Sequence, residues 1–160
     1  MTAPPGRVTG LFRSGGGVPK LPVDHAMVRT SGMEGDVQTN RRFHGGPMRA
    51  LCLYGRERLD ALAEEGHPVR PGQLGENVTI AGLDWAAVRP GVRLRIGEVV
   101  AEVTGYAAPC EKIGYAFRGR DFKRIGQKVN PGWSRVYVRI EQEGEVTVGC
   151  EVQILDPIHE

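Results

Sequence analysis

The sequence lacks any run of about eighteen apolar residues, the length a membrane-crossing helix needs. Its first residues, Met1-Thr2-Ala3-Pro4-Pro5-Gly6, hold no apolar signal core. Neither a membrane span nor secretion is indicated, and a reducing cytoplasm with free thiols is the expected location. Cysteine is scarce and odd in number, three in 160 residues, so no disulfide framework can use them all. Cys52, Cys110 and Cys150 are widely separated, with no Cys-x-x-Cys and no His-x-x-x-His pair, which excludes a structural zinc site. A strong excess of one charge is also missing. The net charge of +2 is weak for a nucleic-acid binder, which would carry a concentrated basic stripe.

Glycine and proline are abundant. The 23 glycines and 11 prolines make up about a fifth of the chain, against roughly 12% in average usage. Both are costly inside helices, which excludes a helical bundle or coiled coil. Hydrophobic residues are 40% of the total, enough for a core, and the glycines are scattered between apolar runs. The length fits one domain over residues 1–160, with its core from about Val8 to Leu155.

Short strands are predicted at Arg7–Arg13, His25–Thr30, Met48–Tyr54, Val78–Ala81, Leu83–Val88 and Val92–Ile96. Gly97-Glu98 signals a hairpin into a strand in which Val99, Ala101 and Val103 share a face. A second hairpin is expected at Glu143-Gly144. It joins Val136, Val138 and Ile140 to a returning strand through Val146, Val148, Cys150 and Val152. The best helix is Gly55–Glu65, with Leu59, Leu62 and Ala63 on one face and Gly66 at its end. Asp121–Lys128 reads as a second, shorter helix. Many short strands with one substantial helix predict a mainly β fold, a closed or partly open barrel of antiparallel and mixed strands with a few short helices.

Cys150 lies in phase with valines and Cys52 lies in Leu51-Cys52-Leu53, so both read as core thiols. Cys110 lies outside any apolar run, between Pro109 and Glu111-Lys112. A neighbouring lysine favours the thiolate, the form that attacks or binds metal. A cysteine nucleophile could pair with His44, although nothing marks an orienting third group.

Four polar motifs stand at the edges of predicted strands, where a barrel mouth would gather them: Glu34-Gly35-Asp36, Arg41-Arg42-Phe43-His44-Gly45-Gly46-Pro47, Gly75-Glu76-Asn77 and Pro109-Cys110-Glu111-Lys112. Each alone is also an ordinary turn. Together, glycine-flanked amides and arginines suit an anionic ligand. The basic residues Arg118, Arg120, Lys123, Arg124 and Lys128 form either a solvated face or a dock for phosphate or an acidic partner.

In this order, the motifs resemble the MOSC domain, named for the C-terminal part of molybdenum cofactor sulfurases. The resemblance runs from Gly32-Met33-Glu34-Gly35-Asp36 through Phe43-His44-Gly45-Gly46-Pro47, Leu74-Gly75-Glu76-Asn77-Val78-Thr79 and Pro109-Cys110-Glu111-Lys112 to Trp133-Ser134-Arg135-Val136-Tyr137. It implies a β-barrel in which Cys110 either ligates molybdenum held by a pyranopterin or carries sulfur. His44 would join Cys110 in catalysis, and Arg41, Arg42, Gly45, Gly46, Glu76, Asn77 and Lys112 would bind the cofactor. The implied activities are reduction of N-hydroxylated small molecules with electrons from a partner protein, or sulfur transfer from a cysteine desulfurase that holds pyridoxal phosphate itself. A third reading is a non-catalytic cofactor-binding module. No nucleic-acid or membrane partner is expected. Many relatives end the last hairpin with Gly-Asp, where this chain has Gly149-Cys150.

Overall fold

A computed structural model describes residues 4–36 and 46–155. Eleven strands are present among them: β1 (Gly6–Arg13), β2 (Leu21–Val23), β3 (His25–Arg29), β4 (Gly32–Met33), β5 (Leu51–Gly55), β6 (Val78–Ala81), β7 (Arg93–Ile96), β8 (Val99–Ala107), β9 (Arg135–Gln142), β10 (Gly144–Thr147) and β11 (Glu151–Ile154). Seven of them close into a mixed barrel in the order β1-β6-β5-β9-β8-β7-β11, with β11 pairing back onto β1. Only β5 and β6 run parallel within it, and the helix α1 (Arg56–Glu64) lies on the crossover between them. That is the usual way to join parallel neighbours. β2 extends the sheet beyond β1, and β10, β3 and β4 form a separate three-stranded sheet.

Alternation explains the barrel interior. Val136, Val138 and Ile140 of β9 meet Val99, Ala101 and Val103 of β8 in one apolar core, with Leu51 and Leu53 of β5. Leu59 and Leu62 anchor α1 to that core, contributing about 1.5–3 kcal/mol each when fully buried. Ala63, expected on the same face, is exposed.

Several predicted elements differ. Met48 lies in a 3₁₀ turn, Pro47–Arg49, ahead of β5. Leu83–Val88 is not a strand: Trp85–Ala87 forms a 3₁₀ turn, with the Trp85 indole N–H donating to the Ser134 carbonyl at 2.8 Å. The helix expected at Asp121–Lys128 is a 3₁₀ turn, Phe122–Ile125. The final hairpin does not form. β10 leaves the barrel to pair with β3, and Gly149, at a φ of 95°, helps turn the chain back so that β11 closes the barrel. The even alternation from Val146 to Val152 concealed this break; Val148 is exposed and Cys150 only partly buried against the core.

Candidate functional site

The outer face of three adjacent strands carries a second, smaller apolar cluster of Cys52, Ala107 and Tyr137, separate from the barrel core. Cys52 of β5 pairs with Tyr137 of β9, and Tyr137 in turn pairs with Gly105 of β8. The placement of Ala107 depends on a β-bulge. The register of β8 slips between Val103 and Gly105, leaving Thr104 as the extra residue, and a bulge of one residue reverses which face later side chains take. Tyr106 therefore packs toward the main core and Ala107 joins the outer cluster. Thr104 is tied down by its hydroxyl, which bonds the carbonyls of Met48 and, at 3.2 Å, Tyr137.

Three residues past Ala107 comes Cys110, half-buried, with extended backbone, at the start of the 3₁₀ segment Glu111–Ala116. The Ile113 N–H donates to its carbonyl at 3.2 Å. The thiol makes no capping hydrogen bond to that segment. Lys112 and Glu111 beside it are exposed.

Around this thiol the sequence places charge inside the protein. Arg135 is 5% exposed, although strand alternation marks it as outward. Its Nη1 donates to the Leu74 carbonyl at 2.6 Å, and its Nη2 donates to the Ala107 and Ala108 carbonyls at 3.3 Å each. Glu76 is fully buried, and its Oε1 accepts the Leu74 N–H at 3.1 Å. Burial pushes its carboxyl up to about 7, against backbone N–H donors and the Arg135 charge, which favour the anion. Among the described residues, Glu76 Oε2 and Arg135 Nε have no hydrogen-bond partner.

Asn77 is also fully buried. Its Oδ1 accepts the Cys52 N–H at 3.0 Å, and its Nδ2 donates to the Phe12 carbonyl and to Asp36 Oδ2. Asp36 in turn pairs with Lys20 at 2.7 Å, with both side chains buried, and accepts the Ser14 N–H at 2.9 Å. Glu76 and Asn77 thus hold backbone rather than present a surface. Gly72 shapes the same loop: with φ at +87°, an added Cβ would lie 2.7 Å from the Lys20 carbonyl oxygen.

Burial raises Cys52 to about 11, outweighing the nearby Arg135 charge, so it stays protonated at neutral pH. Burial likewise raises the Tyr137 phenol to about 12; the charges of Cys52, Arg135, Arg49 and Cys110 all act on it. The Arg49 guanidinium lies 5.4 Å from the Tyr137 ring centroid, within cation–π range. Arg41, Arg42, His44 and Gly45 lie outside the described residues; Gly46 immediately precedes the turn that carries Arg49.

Arg135 links the Cys110 segment to the loop that carries Glu76 and Asn77, and Tyr137 and Arg49 lie on the neighbouring strands and turn. Glu76 and Asn77, expected to contact a cofactor, bond the protein instead. Cys52, Tyr137 and Ala107 lie on the outer face of β5, β9 and β8, while Cys110, Arg135 and Asn77 stand at or just beyond the ends of β8, β9 and β6. One sequence signal pointed to that outer face. The run Leu51-Cys52-Leu53-Tyr54 is apolar on both faces, so its outer face must also be covered.

The mixed barrel of seven strands defines the class of fold, and comparison with known proteins gives its family. The chain matches the MOSC domain over residues 40–153 and belongs to that family, which is associated with binding of the molybdenum cofactor. It is 32% identical over 141 residues to the uncharacterized protein YflK of Bacillus subtilis, covering 87% of this chain and 63% of that one. It is 36% identical over 123 residues to the protein YiiM of Escherichia coli, covering 72% and 54% respectively. The chain thus spans less than two thirds of these relatives' length. The crystal structure of YiiM from Escherichia coli superposes with a TM-score of 0.70 at 27% identity, over 96% of this chain and 72% of that one.

Proposed function

We propose that this chain binds molybdenum as its pyranopterin cofactor, with Cys110 as the protein ligand, and reduces N–O bonded small molecules. The observation that carries this reading is the Cys110 thiol: half-buried, unused as a cap, and set beside buried cationic and aromatic groups. The donor set fits such a group. Among the described residues no cluster of three or more His, Cys, Asp or Glu could hold a metal, whereas a metal that brings its own pterin sulfurs needs only one soft protein ligand. The orphaned Arg135 Nε and Glu76 Oε2 also leave hydrogen-bonding capacity near it.

When bound, the cofactor would supply the two electrons for reduction of the N–O bond, whose oxygen would leave as water with two protons from solvent, and an electron-donor protein would restore the pair. Cys110 binds. Arg49, Arg41, Arg42 and Lys112 provide charge for the pterin phosphate. Tyr137, protonated at neutral pH, can donate a hydrogen bond from its phenol. The family resemblance assigns His44, Gly45 and Gly46 to the same cofactor, and Glu76 and Asn77 hold the backbone of the loop before β6.

The test is metal and pterin analysis of protein purified from a cofactor-competent host, wild type beside Cys110→Ala. Molybdenum and pterin are expected in the wild type and lost from the variant. A metal-free wild type overturns the reading. A persulfide on Cys110 after incubation with a desulfurase, in metal-free protein, would instead establish sulfur carriage.

A further inference from the structure

The Cys110 segment is held on both of its sides by one loop. On the N-terminal side, Arg135 reaches from β9 to the Ala107 and Ala108 carbonyls and, with its other Nη, to the Leu74 carbonyl. On the C-terminal side, the Tyr115 hydroxyl donates to the Gln73 carbonyl at 2.6 Å. Leu74 is itself gripped at both ends of its peptide unit, its N–H by Glu76 and its C=O by Arg135. Glu76 Oε1 lies 3.1 Å from the Leu74 nitrogen, so the carboxylate fixes the loop and the guanidinium fixes the thiol segment to the loop.

We propose that Arg135 is a positioning residue for Cys110. It clamps the segment that carries the thiol to Leu74, with Tyr115 closing the clamp from the other side. The inference rests on Cys110 being the functional thiol, but the clamp is testable without any cofactor. Arg135 is suited to this role because its planar fork can bind several carbonyls at once. Its buried charge is balanced mainly by carbonyl dipoles: no carboxylate among the described residues lies within ion-pair distance of it. A lysine would keep the charge but reach fewer of these oxygens.

The experiment is hydrogen exchange by mass spectrometry on the purified chain, following the peptide that contains Cys110 to Ala116, together with alkylation of Cys110 by iodoacetamide. Arg135→Gln should raise exchange in that peptide by at least about tenfold, the effect on local opening of losing a single charge-assisted hydrogen bond, since Arg135 makes three. Exchange in β7 and β11 should not change. Arg135→Lys should recover part of the protection, and Cys110 should alkylate severalfold faster in Arg135→Gln than in the wild type. Tyr115→Phe removes only a partly exposed hydroxyl and will fold. It should loosen the same peptide by a smaller factor, and it serves as the test if Arg135→Gln does not fold. Unchanged exchange and alkylation in folded Arg135→Gln, or in Tyr115→Phe where only that variant folds, overturns the clamp. Loss of the proposed function is a separate result: if Cys110→Ala leaves cofactor binding intact while the Arg135 effects appear, the clamp stands and the metal assignment falls.

Discussion

Two charged regions of this protein solve the same problem in opposite ways. On the outer surface, Arg93, Glu141, Arg139 and Glu102 form a chain of ion pairs at 2.6–2.9 Å, each side chain partly exposed to water. Inside the protein, Lys20, Asp36, Glu76 and Arg135 have buried side chains, and three of them bond backbone. The surface chain is solvated whether or not it pairs, so pairing gains little. The inner charges have lost their water and must be held by protein, so each becomes a strut for the peptide groups that satisfy it. Charge inside this molecule is therefore a construction element of the candidate site, and charge outside it is largely interchangeable.

The largest expected difference comes from Asp36→Ala. It strands the buried Lys20 ammonium and removes acceptors from Ser14 and Asn77. Urea denaturation should show a loss of about 3–5 kcal/mol, the cost of leaving a buried charge unpaired. A loss below about 1 kcal/mol would erase the distinction between the two regions.

Glu76 gives a smaller effect with a defined pH dependence. Its folded carboxyl holds a proton up to about 7, whereas the ordinary value is 4.5. Between these values the folded chain binds more protons than the unfolded one, so stability falls as pH rises across that window and levels off above about 7. The total fall is about 3 kcal/mol. Glu76→Gln, which stays neutral, should flatten this part of the stability profile measured by denaturation from about pH 5 to about pH 8. A profile identical to the wild type would show that burial of Glu76 does not govern its proton.

The smallest effect is expected for Glu141→Gln. It cuts two surface ion pairs and should cost no more than about 1 kcal/mol, diminishing with added salt. A salt-independent loss comparable to Asp36→Ala would place this pair in the structural class of the buried charges.

The barrel was legible because alternation is a local signal. The hairpin from Arg93 to Val103 follows from Leu94 and Ile96 facing Val99 and Ala101. The exit of β10 was not legible, since Val146 keeps the same period whether its strand pairs with β9 or with β3. Cys110 stood out because its neighbours are not apolar. Arg135 did not, because its burial depends on Leu74, Ala107 and Ala108, all three remote in sequence and brought to it only by the fold. The bulge at Thr104 was also hidden: it is defined by register against β9, which no property of Val103-Thr104-Gly105 alone encodes.

β11 is the keystone of the barrel. It is the last described strand, yet it hydrogen-bonds to β7 and to β1. Until this segment leaves the ribosome, the sheet has open edges at both of those strands. An emerging chain must therefore keep that edge of β1 unsealed until residues 151–154 have been made. Ring closure depends on long-range pairing, the slow kind of folding step, and the interval before it is when the exposed edges are most open to capture by another chain.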